Sequence, residues 1–117
     1  MLSMRGISIA IIAAALSSGS AGAADLTTAQ AIQAFRKDPQ TIGIYLTAVW
    51  DGLSAANAVL TSQGKPPLYC APEKLAMTPH QTVDILRRYV EQHPFAGKVS
   101  IVVITLQAYM DAFPCRP

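Results

Sequence analysis

Residues 38–64 read D-P-Q-T-I-G-I-Y-L-T-A-V-W-D-G-L-S-A-A-N-A-V-L-T-S-Q-G. Within them Ile42, Leu46, Val49, Leu53, Ala56 and Leu60 follow one another at steps of four, three, four, three and four. A repeat of 3.6 residues per turn brings such positions onto one stripe. The spacing therefore predicts an amphipathic helix of about five turns. Asp38 suits the N-cap and Pro39 the first helical position, where the missing N–H has no partner to lose. Gly64 suits the left-handed residue that closes a helix.

Helical signals continue on both sides. Upstream, Thr27 or Thr28 can cap a first helix whose body and apolar face are Ala29, Ala31, Ile32, Ala34 and Phe35. Downstream, Pro66 and Pro67 force an extended stretch carrying Leu68, Tyr69 and Cys70. Thr78-Pro79-His80-Gln81 announces a third helix, with Thr78 and Gln81 as a capping box. Val83, Leu86 and Val90, flanked by Ile85 and Tyr89, form its buried face, and Pro94 stops it. Arg87, Arg88 and His93 lie toward its C-terminal end, where positive charge suits the helix dipole. Gly97 marks a short turn.

The last segment offers two readings. Val99 to Leu106, V-S-I-V-V-I-T-L, has the β-branched content of a strand. The apolar pattern nevertheless runs on through Val102, Leu106, Met110 and Phe113 to Pro114. About 15 residues is long for a strand, so a fourth helix is preferred. The fold class expected is all-α, a small four-helix domain.

A leader precedes that domain. Met1 to Gly6 carries one base, Arg5; Ile7 to Leu16 is an apolar run; Ala21-Gly22-Ala23 is an A-x-A site. This is the three-part pattern of a cleaved signal peptide. The run is too short for a membrane span, which needs about 20 apolar residues. Residues 1–23 are thus read as signal peptide and 24–117 as the mature, exported domain. No Cys stands at the cleavage site, so a lipid anchor is not indicated.

Composition narrows the function classes. Apolar residues make up 51% of the 117-residue chain and charged ones 14%, which excludes a disordered tail. Net charge is +2, or +1 once Arg5 leaves with the signal peptide. So near-neutral a balance speaks against a nucleic-acid binder. Export places Cys70 and Cys115 in an oxidising compartment, and two cysteines permit one intramolecular pairing. A crosslink across a loop of that size is worth about 4 kcal/mol in the chain-entropy account. C-x-x-C spacing is absent, so a redox-active pair is not expected.

Catalytic constellations are not found. His80 and His93 would stand about 20 Å apart at opposite ends of one helix, too far to share a metal. There is no G-x-S-x-G, phosphate loop or H-E-x-x-H. Asp38 reads as a cap, and Asp84 as half of a solvated pair with Arg87 or Arg88. Asp51 and Gly52 in W-D-G read as an exposed acid and a glycine that permits close helix packing. Neither an enzyme, a metal nor a cofactor is expected. The tyrosines and Trp50 read mainly as core.

Contact residues are sought in turns. His93 to Lys98, H-P-F-A-G-K, puts Phe95 in a tight loop with Lys98. Either Phe95 is a contact side chain or it folds back on the third helix. The segment Gln63 to Pro72, including Tyr69, is the other candidate. Phe95, Lys98 and Tyr69 are therefore the expected partner-binding residues.

Four strings together resemble a known family. They are Y-L-T-A-V-W-D-G-L-S-A-A-N from Tyr45, P-L-Y-C-A-P from Pro67, Q-T-V-D-I-L-R-R-Y-V-E-Q-H-P from Gln81, and A-F-P-C from Ala112. Their order, above all Tyr69-Cys70-x-Pro72 with Ala112-Phe113-Pro114-Cys115, resembles the Rap/Tai immunity family. The resemblance covers roughly Ile42 to Cys115. It implies an all-helical periplasmic protein with one disulfide, often a homodimer, that binds and sterically blocks a peptidoglycan amidase effector of type VI secretion. Competing readings are a periplasmic acid-stress chaperone of the HdeA type, for which the acids are few, and an orphan binding domain with no toxin partner.

Overall fold

The computed structural model describes residues 26–116. The expected signal segment and its cleavage point lie outside them. Four α-helices follow one another: α1 (Thr28–Lys37), α2 (Pro39–Ser62), α3 (Pro79–Gln92) and α4 (Ile101–Ala112), with a 3₁₀ turn (Pro94–Lys98) between α3 and α4. The only ladder contact among the described residues is an isolated bridge between Thr27 and Ser100. No helix among them is long and apolar enough to cross a membrane.

The helix ends follow the capping chemistry expected of them. Thr27 caps α1, its Oγ1 accepting the Gln30 N–H at 3.2 Å while Gln30 Oε1 accepts the Thr27 N–H at 3.0 Å. Thr78 and Gln81 repeat that reciprocal pair at the start of α3. Each box satisfies two donors that the first turn would otherwise leave unpaired. Asp38 serves two helices. Its N–H donates to the Ala34 carbonyl at the end of α1, and its carboxylate accepts the Thr41 N–H at the start of α2. The Thr41 side chain first, and this backbone bond second, hold the Asp38 carboxyl below its ordinary pKa. Past α2, Lys65 N–H bonds to Leu60 O and Gly64 N–H to Thr61 O. Gly64 has φ of 70°. This is a Schellman closure, and its left-handed residue favours glycine.

The start of α4 has no side-chain cap. The segment before α1 takes that role. Ile101 N–H donates to Leu26 O, while Thr28 N–H and Oγ1 both donate to Val99 O. The two ends of the bundle chain are thereby tied, and the ambiguous segment settles as helix.

Two packed clusters fill the interior. The larger is aliphatic apart from Phe35: Ala31, Phe35, Leu46, Val83, Leu86, Ala96, Ile101, Ile104 and Ala108. The second is aromatic and smaller: Tyr69, Met77 and Tyr109, with Trp50, Leu53, Leu106 and Phe113 packed against it. Cys70 and Cys115 form a disulfide beside it.

Two expectations about faces need correction. The buried stripe of α4 is Ile101, Ile104, Thr105, Ala108 and Tyr109; of the row Val102, Leu106, Met110 and Phe113, only Leu106 and Phe113 pack against the core. Val102, Val103 and Met110 are exposed. An apolar helix with few polar residues does not declare which side is inward, because every register looks equally hydrophobic. Tyr109 decides it, since its hydroxyl finds the Thr82 hydroxyl inside at 2.7 Å; buried Thr105 satisfies its own hydroxyl on the Ile101 carbonyl one turn back. Gly52 also packs against nothing: a methyl group there would meet no atom within 4 Å. The glycine in close contact is Gly43, whose Cβ would lie 3.4 Å from Pro79 Cγ. Gly97 does more than turn the chain, being buried against Ala29 and Val90.

Candidate functional site

Ionisable groups are spread over the surface. Asp38, Asp51, Glu73, Asp84, Glu91 and Asp111 are all exposed. Among the described residues no three His, Cys, Asp or Glu side chains come together as a metal site would require. Each histidine lies against an aromatic ring. His80 meets the Phe35 ring edge-on, with centroids 4.9 Å apart. His93 stacks on Tyr89 at 4.3 Å and approaches the Tyr89 carbonyl through Nδ1 at 3.1 Å. Asp84 pairs with Arg87 at 3.6 Å on the exposed face of α3, as the i,i+3 spacing suggested.

The turn after α3 presents the large apolar side chain expected there. Its neighbours explain why it points outward. Ala96 and Gly97 are buried, so the backbone of the 3₁₀ turn is pinned to the bundle. Phe95 is left 62% exposed, rather than folded over α3. Its ring stands edge-on to His93, with centroids 6.2 Å apart. Tyr89, His93 and Phe95 thus form a short aromatic ladder that leads from α3 into the turn. Lys98 is exposed at the end of that turn.

The surface continues onto α4. A groove of about 380 Å³ is lined by Tyr89, His93, Gln107, Met110 and Asp111. Tyr89 Oη donates to Gln107 Oε1 across it at 3.4 Å. Sequence reasoning missed this extension. The i,i+4 spacing of Tyr89 and His93 was a readable signal for the ladder. Nothing local signalled that Met110 and Val103 face outward.

Tyr69 belongs elsewhere. It is 3% exposed and packs between Trp50, Tyr109 and Phe113, with ring centroids 5.5–6.5 Å away. Of the three expected contact residues Phe95 and Lys98 are presented to solvent, while Tyr69 is buried at the floor of the cleft between α2 and the following segment. The Tyr69 hydroxyl has no hydrogen-bond partner of good geometry, Ser54 being a marginal one. Burial pushes its pKa up. Tyr109, wholly buried, shares a 2.7 Å hydrogen bond with Thr82, and its pKa is pushed up to about 12, chiefly by desolvation.

Asn57 of α2 grips the backbone of the segment between α2 and α3. Asn57 Nδ2 donates to Tyr69 O at 3.0 Å, and Asn57 Oδ1 accepts Leu68 N–H at 2.7 Å. Trp50 and Asn57, both in the Tyr45–Asn57 string, are thus devoted to seating this segment. The segment and α2 enclose a cleft of about 890 Å³, with Trp50, Asn57, Pro67, Cys70 and Glu73 among its walls.

Among the described residues the carboxylates and histidines do not converge on one site, and the most prominent surface feature is the Tyr89–His93–Phe95 ladder. Comparison with known proteins is consistent with a binding role. The family model described as Rap1a immunity proteins matches residues 18–115. No curated protein and no solved structure matched the chain.

Proposed function

The chain belongs to the Rap1a immunity protein family, and from that premise we propose that it is a periplasmic immunity protein. Its partner is a peptidoglycan amidase effector of type VI secretion, which it inhibits by covering the active-site cleft. The observation that carries the reading is Phe95. A large apolar side chain held outward on a pinned turn, beside the Tyr89–His93 stack and Lys98, has the make-up of a binding hot spot. The turn is preformed, so little conformational entropy is lost when it docks. Inhibition then requires only that the turn and its surroundings occupy space the substrate needs.

Export by a cleaved signal peptide accompanies this reading, with the mature chain starting at Ala24. So does self-association: Val102, Val103 and Met110 form an exposed apolar face on α4 that a second copy could cover. Six exposed carboxylates do not suit a chaperone that opens when buried acids protonate.

The test is direct. The disulfide-intact mature protein is titrated into the amidase encoded beside it, and hydrolysis of peptidoglycan is followed. A tight complex with loss of hydrolysis is expected. Phe95→Ala should weaken that complex about 30-fold or more, as truncation of a hot spot does, while stability stays within about 0.5 kcal/mol. No complex, or full hydrolysis at saturation, refutes the assignment. Light scattering of the free protein decides between monomer and dimer.

A further inference from the structure

The segment from Gln63 to Thr78 joins α2 to α3 without a helix or strand of its own. At sixteen residues it exceeds the usual limit of about 12–15 for such connections. It nevertheless supplies two of the three buried members of the aromatic cluster, Tyr69 and Met77, with Leu68, Ala71 and Leu75 packed around them. It behaves as a cover laid over α2 and the end of α4.

Three kinds of fastening hold the cover. Asn57 grips the backbone of Leu68 and Tyr69. Cys70 N–H donates to Phe113 O at 2.8 Å. The Cys70–Cys115 disulfide joins it covalently to the chain beyond α4. Both half-cystines are exposed, so the bond is open to attack from solvent. The closed position also leaves the Tyr69 hydroxyl buried without a good partner, a cost that release into water would remove. The aliphatic cluster shares no fully buried residue with this end, and half-buried Ile85 packs against both. Its helices are tied at the opposite side by the Leu26, Thr28, Val99 and Ile101 hydrogen bonds.

We propose that the disulfide is a redox-operated latch: a dithiol reductant releases the Gln63–Thr78 cover and opens the aromatic end, while the aliphatic body stays folded. A thiolate of the reductant attacks Sγ of one half-cystine. A mixed disulfide forms and the other sulfur leaves as thiolate. The second thiol of the reductant then displaces the remaining cysteine. Two electrons pass to the chain, two protons complete its thiols, and the reductant leaves as a disulfide. Opening exposes Trp50 and the Tyr109 ring and dismantles the cleft that Cys70 helps to wall. This latch is independent of the effector reading.

The test uses the intact mature protein with dithiothreitol as reductant, and the Cys70→Ser/Cys115→Ser double variant without it. Amide hydrogen exchange by mass spectrometry gives the map. Fluorescence of Trp50, the chain's single tryptophan, follows the cover. On reduction, exchange across residues 64–77 should accelerate about tenfold or more, while residues 28–35 and 101–106 change less than about twofold. The Trp50 emission should shift to longer wavelength with the far-ultraviolet helix signal retained. The double variant should reproduce both. Unchanged exchange at 64–77 in the reduced protein overturns the proposal, because the cover is then held without the latch. Equal acceleration everywhere overturns it too, because the molecule is then one cooperative unit. A disulfide that resists millimolar dithiothreitol, or a double variant that stays closed, counts against it equally.

Discussion

At one end of the molecule Leu46, Leu86, Ile101 and Ile104 meet as side chains delivered by helices, and each is essentially inaccessible to water. At the other, Tyr69, Met77 and Tyr109 meet beneath a segment that has no regular structure. The helical end rests mainly on apolar positions recurring at the helix period, since most backbone bonds are satisfied within each helix, with the Leu26, Thr28, Val99 and Ile101 bonds added at its edge. The aromatic end needs particular partners. Thr82 must bond the Tyr109 hydroxyl, Asn57 must bond the Leu68 and Tyr69 backbone, and Cys115 must crosslink Cys70. Periodic packing is tolerant of substitution, and pairwise fastening is not.

Tyr109→Ala tests that contrast most severely. The ring is wholly buried, touches Trp50, Tyr69 and Phe113, and its hydroxyl satisfies Thr82. Its loss should cost about 3–5 kcal/mol from the lost burial and the cavity together, and strand the Thr82 hydroxyl besides. Ile104→Val, at an equally buried site of the aliphatic end, should cost about 0.5–1.5 kcal/mol. Guanidinium denaturation of the disulfide-intact variants measures both. Similar costs for the two would erase the distinction between the ends.

The same contrast governs what could be read from the sequence. The helices were legible in outline: the α2 stripe, the caps at Thr27, Asp38 and Thr78, and the closure at Gly64 are local signals with local causes. The pairing of Cys70 with Cys115 followed from the expectation of export and from there being two cysteines. The inward face of α4 did not follow, because it is set by contacts with Thr82 and with the strand-like entry at Leu26, both remote in sequence. Tyr69 illustrates the same limit. Its place in a proline-rich turn suggested exposure, but Asn57 and the disulfide draw that turn inward. Phe95 was legible as a candidate, yet only burial of Ala96 and Gly97 shows why its ring faces out.

Alkaline titration should separate the ends without mutation. Tyr109 has its pKa pushed up to about 12 by burial, and burial raises that of Tyr69 as well. In the unfolded chain tyrosine ionises near 10. Below pH 10 both states hold the proton, and the stability linked to it is complete. Between pH 10 and 12 the unfolded chain loses protons that the folded chain retains, so stability falls as pH rises. The drop should be on the order of 1–3 kcal/mol. Tyr109→Phe should remove much of this pH dependence, whatever its cost at neutral pH. Denaturation midpoints at pH 9 to 12 give the measurement, and a profile unaffected by Tyr109→Phe would place the titration elsewhere.

The smallest effect has the opposite sign. Gly52 lies near the middle of α2, exposed, with open space where a methyl group would go. Of the glycines only Gly64 has positive φ among the described residues, so alanine fits the backbone at 52 without strain. Glycine there forfeits helix propensity and gains no packing within the chain. Gly52→Ala should therefore stabilise by about 0.5–1 kcal/mol. Gly43→Ala should gain less, because its methyl must share space with Pro79 at 3.4 Å. Thermal denaturation of the two variants at several protein concentrations checks the pair. If Gly52→Ala instead destabilises, and does so more at high concentration than at low, the outer face of α2 is occupied by a second copy in solution. The contrast between ends would then have to include an intermolecular contact that runs along α2.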